Sequence, residues 1–138
     1  MLFPKKVKFR KWQTKRRNLK KARIATRGAT VAFGSFGLKA EKIGRITSNQ
    51  IEAARKVASK SVGKTGRIWI RIFPDRPYTA KPAEMGMGKG KGDPSGYVAE
   101  VKPGTVIFEI DGVSDAEAKE ALRKAGAKIS VKTKVISR

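Results

Sequence analysis

Cysteine and histidine are both absent from this 138-residue chain, and acidic residues are scarce. Without cysteine there is no disulfide, no thiol nucleophile and no thiolate metal ligand. Without histidine there is no imidazole ligand and no side chain that titrates near neutral pH unperturbed. No apolar run approaches the ~20 residues needed to cross a bilayer. The N-terminus lacks the apolar stretch of a secretory signal, although its basic, acid-free character also suits an organelle-targeting leader. Holding a membrane surface would require a basic amphipathic helix with a wide apolar face, or a lipidation motif, and neither is evident. The missing cysteine is in keeping with a reducing cytoplasm.

What is present is positive charge. Lys and Arg number 33 against 11 Asp and Glu, a formal net charge of +22. Such a chain repels itself when compact, so a stable folded state needs either high salt or a polyanion beside it. Nucleic acid is the commonest such partner, and a sequence pI near 10.9 is in its range. Glu41 is the first acid, and of the thirteen basic residues before it twelve lie in the first 27 positions. Phe3, Phe9 and Trp12 interleave with them. A segment so charged and so poor in aliphatics builds no core of its own. Residues 1–28 are therefore expected to be an RNA-binding extension that orders on its partner, in which Phe9 and Trp12 either stack on bases or pack against the domain.

Residues 29–138 read as a single α+β domain. Val31, Phe33, Phe36 and Leu38, punctuated by Gly34 and Gly37, suggest short strands and bends. Thr47-Ser-Asn-Gln50 is a capping-box pattern, and Ile51, Ala54, Ala58 and Val62 then recur on one helix face, closed by Gly63. Ile68, Ile70 and Ile72 alternate with Trp69, Arg71 and Phe73 as a strand ended by Pro74 and Pro77. Residues 74–96, rich in Pro and Gly, read as a long functional loop. From Tyr97 to Ile110 the pattern is a hairpin about a type II turn at Pro103-Gly104. Ser114-Asp-Ala-Glu117 opens a second helix carrying Ala118, Ala121, Leu122 and Ala125, with Gly126 as its stop. Ile129, Val131, Thr133 and Val135 form a last strand. This order predicts a two-layer sandwich, with two helices on one face of a mostly antiparallel sheet.

Few motifs carry chemistry. Val62-Gly-Lys-Thr65 imitates the end of a phosphate-binding loop, but Ala58 stands where the first glycine belongs and the motif closes a helix instead of opening one. Glu109 and Asp111 share a strand face, and such a pair in a basic protein more often makes local ion pairs than catalysis. Trp69 reads as a core or half-core residue. No nucleophile–base–orienter set is found. Gly86-Met-Gly-Lys-Gly-Lys-Gly92 is open to two readings, a flexible linker or a loop whose bare backbone and lysines approach phosphates.

Taken in order, Pro4-Lys-Lys-Val-Lys-Phe-Arg-Lys11, Thr30-Val-Ala-Phe-Gly-Ser-Phe-Gly-Leu38, Ile46-Thr-Ser-Asn-Gln-Ile-Glu-Ala-Ala-Arg55, Gly66-Arg-Ile-Trp-Ile-Arg-Ile-Phe-Pro-Asp75, Lys81-Pro-Ala-Glu84, Met87-Gly-Lys-Gly-Lys-Gly92 and Val101-Lys-Pro-Gly104 resemble the bacterial L-sixteen family of large-subunit ribosomal proteins. The resemblance implies an α+β sandwich without catalytic residues or cofactor. It implies partners in large-subunit ribosomal RNA, tRNA and neighbouring ribosomal proteins, with no membrane and no homo-oligomer, in the ribosome of the cytoplasm. By the same resemblance, Lys5, Lys6, Lys8, Arg10, Lys11, Trp12, Lys15, Arg16, Arg17, Lys20, Lys21, Arg23, Arg27 and Arg71 face ribosomal RNA. Lys81, Met85, Gly86, Met87, Gly88, Lys89, Gly90 and Lys91 form the loop toward the aminoacyl (A) site and its tRNA, with P-site tRNA as a further candidate. The chain departs from the family at Gly86, where Arg is usual, at Tyr97, where Trp is usual, and at Gly126 and Ser130 in place of common Ala and Pro. A free-standing RNA chaperone or nucleoid-type protein, and a small nucleotide enzyme, are the competing readings.

Overall fold

The computed structural model describes residues 1–13, 23–84, 86, 88 and 90–138. Its elements are β1 (Phe36–Ala40), β2 (Gly44–Thr47), α1 (Ser48–Val62), β3 (Arg67–Ile70), β4 (Arg76–Ala80), β5 (Asp93–Val101), β6 (Val106–Asp111), α2 (Asp115–Gly126) and β7 (Thr133–Ser137). All strand pairs among the described residues are antiparallel. They divide into two sheets, one ordered β3-β6-β1-β7 and one ordered β2-β5-β4. The α+β sandwich expected from the sequence is present, built on two sheets.

Both helices form where the periodicity places them. At α1 the reciprocal capping box is complete: the Gln50 amide donates to Thr47 Oγ1, and the Thr47 amide donates to Gln50 Oε1, each at 3.2 Å. Two N–H groups that a helix start leaves without partners are thereby satisfied. At α2 the Glu117 amide donates to Ser114 Oγ at 3.4 Å. Ile51, Ala54, Ala58 and Val62 of α1 and Ala118, Ala121, Leu122 and Ala125 of α2 are buried. The helices pack on each other and on the face of the larger sheet that carries Phe36, Leu38, Phe108 and Ile110. Five alanines at 0 % exposure, Ala54, Ala58, Ala118, Ala121 and Ala125, bring these surfaces close.

The Pro103-Gly104 turn forms, yet it is not a hairpin. The Thr105 amide donates to the Lys102 carbonyl at 3.1 Å and Gly104 has φ +96°, as a type II turn requires. The strands on either side belong to different sheets, β5 to one and β6 to the other. Competing partners explain the divergence. Gly104 donates to the Ala40 carbonyl at 2.7 Å, Ala40 donates to the Thr105 carbonyl at 2.8 Å, and Val106 donates to the Gly28 carbonyl at 2.8 Å. The turn thus passes the chain from one sheet to the other.

The 74–96 segment is also corrected. β4 and the first half of β5 are cut out of it, paired from Arg76↔Val98 to Ala80↔Asp93, which leaves 81–92 as the loop. Pro77 is tolerated because β4 is an edge strand. Pro94 lies beyond the reach of β2, which pairs only with Val98 to Val101. The strand at 67–73 stops at Ile70. Val31 and Phe33, expected in strands, lie instead on a strap that precedes β1 and crosses the outer face of the larger sheet.

Candidate nucleic-acid interface

The described part of the basic extension is held on the domain at several points. Leu2 packs against the core, and its carbonyl accepts from Ser48 Oγ at 2.6 Å. Met1 and Phe3 lie with Tyr78, Ser95 and Tyr97 along the smaller sheet. Further on, the Ala25 amide donates to the Pro103 carbonyl at 2.8 Å. Lys5, Lys6, Lys8, Arg10, Arg23 and Arg27 are exposed, as are Phe9 and Trp12, while Lys11 is partly buried. The Lys8 ammonium sits 5.6 Å from the Phe9 ring centre. Lys15, Arg16, Arg17, Lys20 and Lys21 lie outside the described residues, as do Met85, Met87 and Lys89 of the loop.

The extension and the loop, far apart in sequence, meet in space. Lys91 Nζ donates to the Trp12 carbonyl, and Lys11 Nζ donates to the Lys91 carbonyl at 3.3 Å. Arg10 lies 3.8 Å from the Asp93 carboxylate. The loop also folds onto itself. Lys81 Nζ donates to the Gly88 carbonyl at 3.0 Å, and the Gly88 amide donates to the Gly86 carbonyl at 2.8 Å. Gly90 adopts φ +95°, and a Cβ at Gly86, Gly88 or Gly90 would meet nothing within 4 Å. Packing against the described residues therefore does not demand glycine at 86 or 88.

Arg71 is placed differently from the other sequence-predicted residues. It is half-buried, with its guanidinium 2.5 Å from Glu109 Oε2 and 5.0 Å from the Phe33 ring centre. Glu109 is fully buried, and its Oε1 accepts from the amides of Ala32, Phe33 and Gly34 at 2.7, 2.9 and 3.2 Å. Three successive N–H groups converging on one oxygen make an anion-binding nest, here filled by the protein's own carboxylate. Burial raises the Glu109 pKa, but the Arg71 bond and the three amide bonds outweigh it and hold the carboxyl below its usual range. Phe33 in turn stacks on Trp69, with ring centres 6.1 Å apart, and Arg67 lies over Trp69 at 5.6 Å. The charge of Arg71 is thus already engaged, and Trp69 is half-buried as its strand position suggests. Asp111 makes the local contacts expected of it, accepting from Ser35 Oγ at 2.9 Å and from the Gly112 amide at 2.8 Å.

Arg76 and Glu100 escaped the reading of the sequence. Arg76 is 7 % exposed, donates to Glu100 Oε1 at 2.5 Å and to the Gln13 carbonyl at 3.0 Å, and faces the Trp12 ring at 5.6 Å. Arg45 Nε shares the same Glu100 oxygen at 3.2 Å. Proline beside Arg76 masked the strand, and with it the inward direction of the side chain.

Among the described residues no group of three or more Asp and Glu is placed to hold a metal ion, and no helix is long and apolar enough to cross a membrane. The family model for ribosomal protein L16p/L10e matches residues 4–136. The large ribosomal subunit protein uL16 of Verminephrobacter eiseniae (strain EF01-2) is 55 % identical over 138 residues, covering 100 % of this chain and 97 % of that protein. On this sequence match, with the fold in agreement, the chain belongs to the ribosomal protein L16p/L10e family, structural and non-enzymatic components of the ribosome.

Proposed function

We propose that the chain is a structural constituent of the large ribosomal subunit that binds its ribosomal RNA through the extension and helps organise the aminoacyl-tRNA site through the glycine loop. The observation that carries this reading is the contact of Lys91 with Trp12 and of Lys11 with Lys91, which sets extension and loop side by side. Lys5, Lys6, Lys8, Arg10, Lys81 and Lys91 are all exposed along these two segments. Each phosphate that such cations neutralise releases condensed counterions, a source of affinity independent of base sequence. Exposed Phe9 and Trp12 offer rings on which unpaired bases stack, for ~1–3 kcal/mol each. The loop presents backbone with little side chain, suited to close approach by a tRNA at the A site, with the P-site tRNA as the further candidate. Neighbouring ribosomal proteins complete the expected partners.

The test is to reconstitute large subunits with this chain, wash them in moderate salt, and crosslink them to RNA. Co-sedimentation with the subunit, ribosomal RNA crosslinks at residues 5–12 and tRNA crosslinks at 81–91 are expected. Release of the protein by the wash would favour a free-standing RNA chaperone. Crosslinks confined to other faces would overturn the assignment of the interface.

A further inference from the structure

We propose that Arg76 is a positioning residue that locks the extension to the glycine-loop ribbon, so that the two present themselves to RNA as one body. The inference rests on the RNA-binding reading above but does not follow from it, because two RNA-binding segments need no mechanical link.

The geometry begins with burial. Arg76 opens β4 at 7 % exposure, and a buried guanidinium is tolerated only when its charge and its N–H groups have partners. Glu100 supplies the charge partner from the neighbouring strand β5. A second guanidinium nitrogen donates to the Gln13 carbonyl at 3.0 Å, and the Trp12 ring centre lies 5.6 Å away. Part of the coordination of this buried cation therefore comes from the extension.

One of these two extension residues, Trp12, is also gripped from the other end of the ribbon. β4 and β5 run antiparallel from Arg76↔Val98 up to Ala80↔Asp93, and the glycine loop joins their tips. At those tips Lys91 Nζ donates to the Trp12 carbonyl. Trp12 and Gln13 thus bridge the base of the ribbon to its tip. The contacts at the tip are exposed, and exposed ion pairs contribute little on their own. Arg76 is shielded from solvent and holds its two acceptors on different nitrogens of one planar fork, with a ring alongside. A single ammonium nitrogen on a flexible stem does not reproduce that fixed geometry. The coupling accordingly resides at Arg76.

Two measurements on the full chain test this. The protein has no cysteine, so spin labels at Phe9→Cys and Ala83→Cys report one distance between extension and loop. A single narrow distance is expected with Arg76 in place, its loss in Arg76→Lys, and a measurable broadening in Trp12→Ala, which removes the ring but keeps the Gln13 carbonyl. Trp12→Ala removes an exposed side chain, so it keeps the test open should Arg76→Lys fold poorly. An equally narrow distance in a folded variant would overturn the proposal. The second measurement is affinity for purified large-subunit ribosomal RNA in a cycle of Lys6→Ala and Lys81→Ala. With Arg76 present, the combined loss should depart from the product of the single losses. In Arg76→Lys it should agree with that product within about twofold, as for independent sites. Agreement with the product in the unaltered protein overturns the coupling while leaving RNA binding intact. If neither single change weakens binding, it is the RNA-binding reading that fails, and the distance measurement still decides the link.

Discussion

The carboxylate of Glu109, on the central strand β6, joins Arg71 to the strap at residues 32–34. One oxygen takes the guanidinium at 2.5 Å and the other takes three backbone amides. The strap itself carries only one buried large apolar side chain, Val31. Much of its attachment to the sheet is therefore electrostatic, focused on a single residue.

Glu109→Gln should separate charge from shape. Glutamine keeps the volume but presents one acceptor oxygen and no charge, so Arg71 and the three amides cannot all be satisfied. Removing one member of a buried pair typically costs ~3–5 kcal/mol, and the partial exposure of Arg71 puts the expected loss at the lower end. Urea unfolding of the free protein checks this. A loss below about 1 kcal/mol would mean that water replaces the carboxylate readily.

The same group sets an acid dependence. The folded pKa of Glu109 lies below its ordinary value of 4.5, so the unfolded chain takes up the proton first as pH falls. The stability from this group is complete above the ordinary value and disappears as pH drops through the folded value. Unfolding free energy should therefore fall on acidification below about pH 5, less steeply in Glu109→Gln. An equal slope in both proteins would remove Glu109 from the account.

Where local pattern alone decides structure, the sequence was sufficient. The Thr47 capping box and the eight buried positions of the two helices stand where periodicity puts them, because a helix face is defined by neighbours three and four residues away. Failures came where distant chain decides. Pro103-Gly104 specifies a turn, but only Ala40 and Gly28 determine that its strands part. Pro77 argued against a strand that an edge position permits. The opposed faces of the 67–73 segment were legible, although its strand ends at Ile70, whereas the burial of Arg76 and the use of Arg71 by Glu109 depend on pairings across dozens of residues.

Packing of the alanine-lined helices is open to a simple test. Ala58 and Ala121 are each 0 % exposed where helix and sheet surfaces come close. Ala121→Leu inserts three carbons into a filled space and should destabilise by ~1–3 kcal/mol. Leu122→Ala, one residue on, leaves a cavity and should cost ~2–5 kcal/mol. Thermal unfolding of both checks the order, and a stabilised Ala121→Leu would show that the helices stand further apart than they are placed.

Deleting residues 1–27 removes twelve of the positive charges that make up the +22 total. It also removes the packing of Leu2 on the core and the Gln13 partner of Arg76, while leaving both helices and their buried faces. The shortened protein should fold, with modestly reduced stability. Its affinity for ribosomal RNA should fall steeply, and the slope of log affinity against log salt should shallow by ~0.7–0.9 for each phosphate no longer neutralised. A full salt slope in the shortened protein would mean that the extension touches no phosphate.

Gly88 offers the sharpest test of the loop. Its φ is not in the positive region that favours glycine, and a Cβ there meets no atom within 4 Å. Gly88→Val should therefore leave thermal stability and net charge unchanged. A backbone-strain explanation, natural from the sequence, is not needed at this position. Since no described residue obstructs the valine, harm from it is expected to come from a surface outside the chain that approaches the bare backbone. On reconstituted subunits Gly88→Val should weaken A-site tRNA binding or subunit maturation. Lys89→Ala with Lys91→Ala should do so as well, by removal of charge, and should also free the Trp12 carbonyl from Lys91. Salt distinguishes the two variants. The lysine pair gives up an ionic contribution that high salt already weakens, so its defect should narrow as salt rises. The valine defect is steric and should persist. Normal tRNA affinity and assembly with both variants would make the loop a spacer between β4 and β5, with no RNA-facing role of its own.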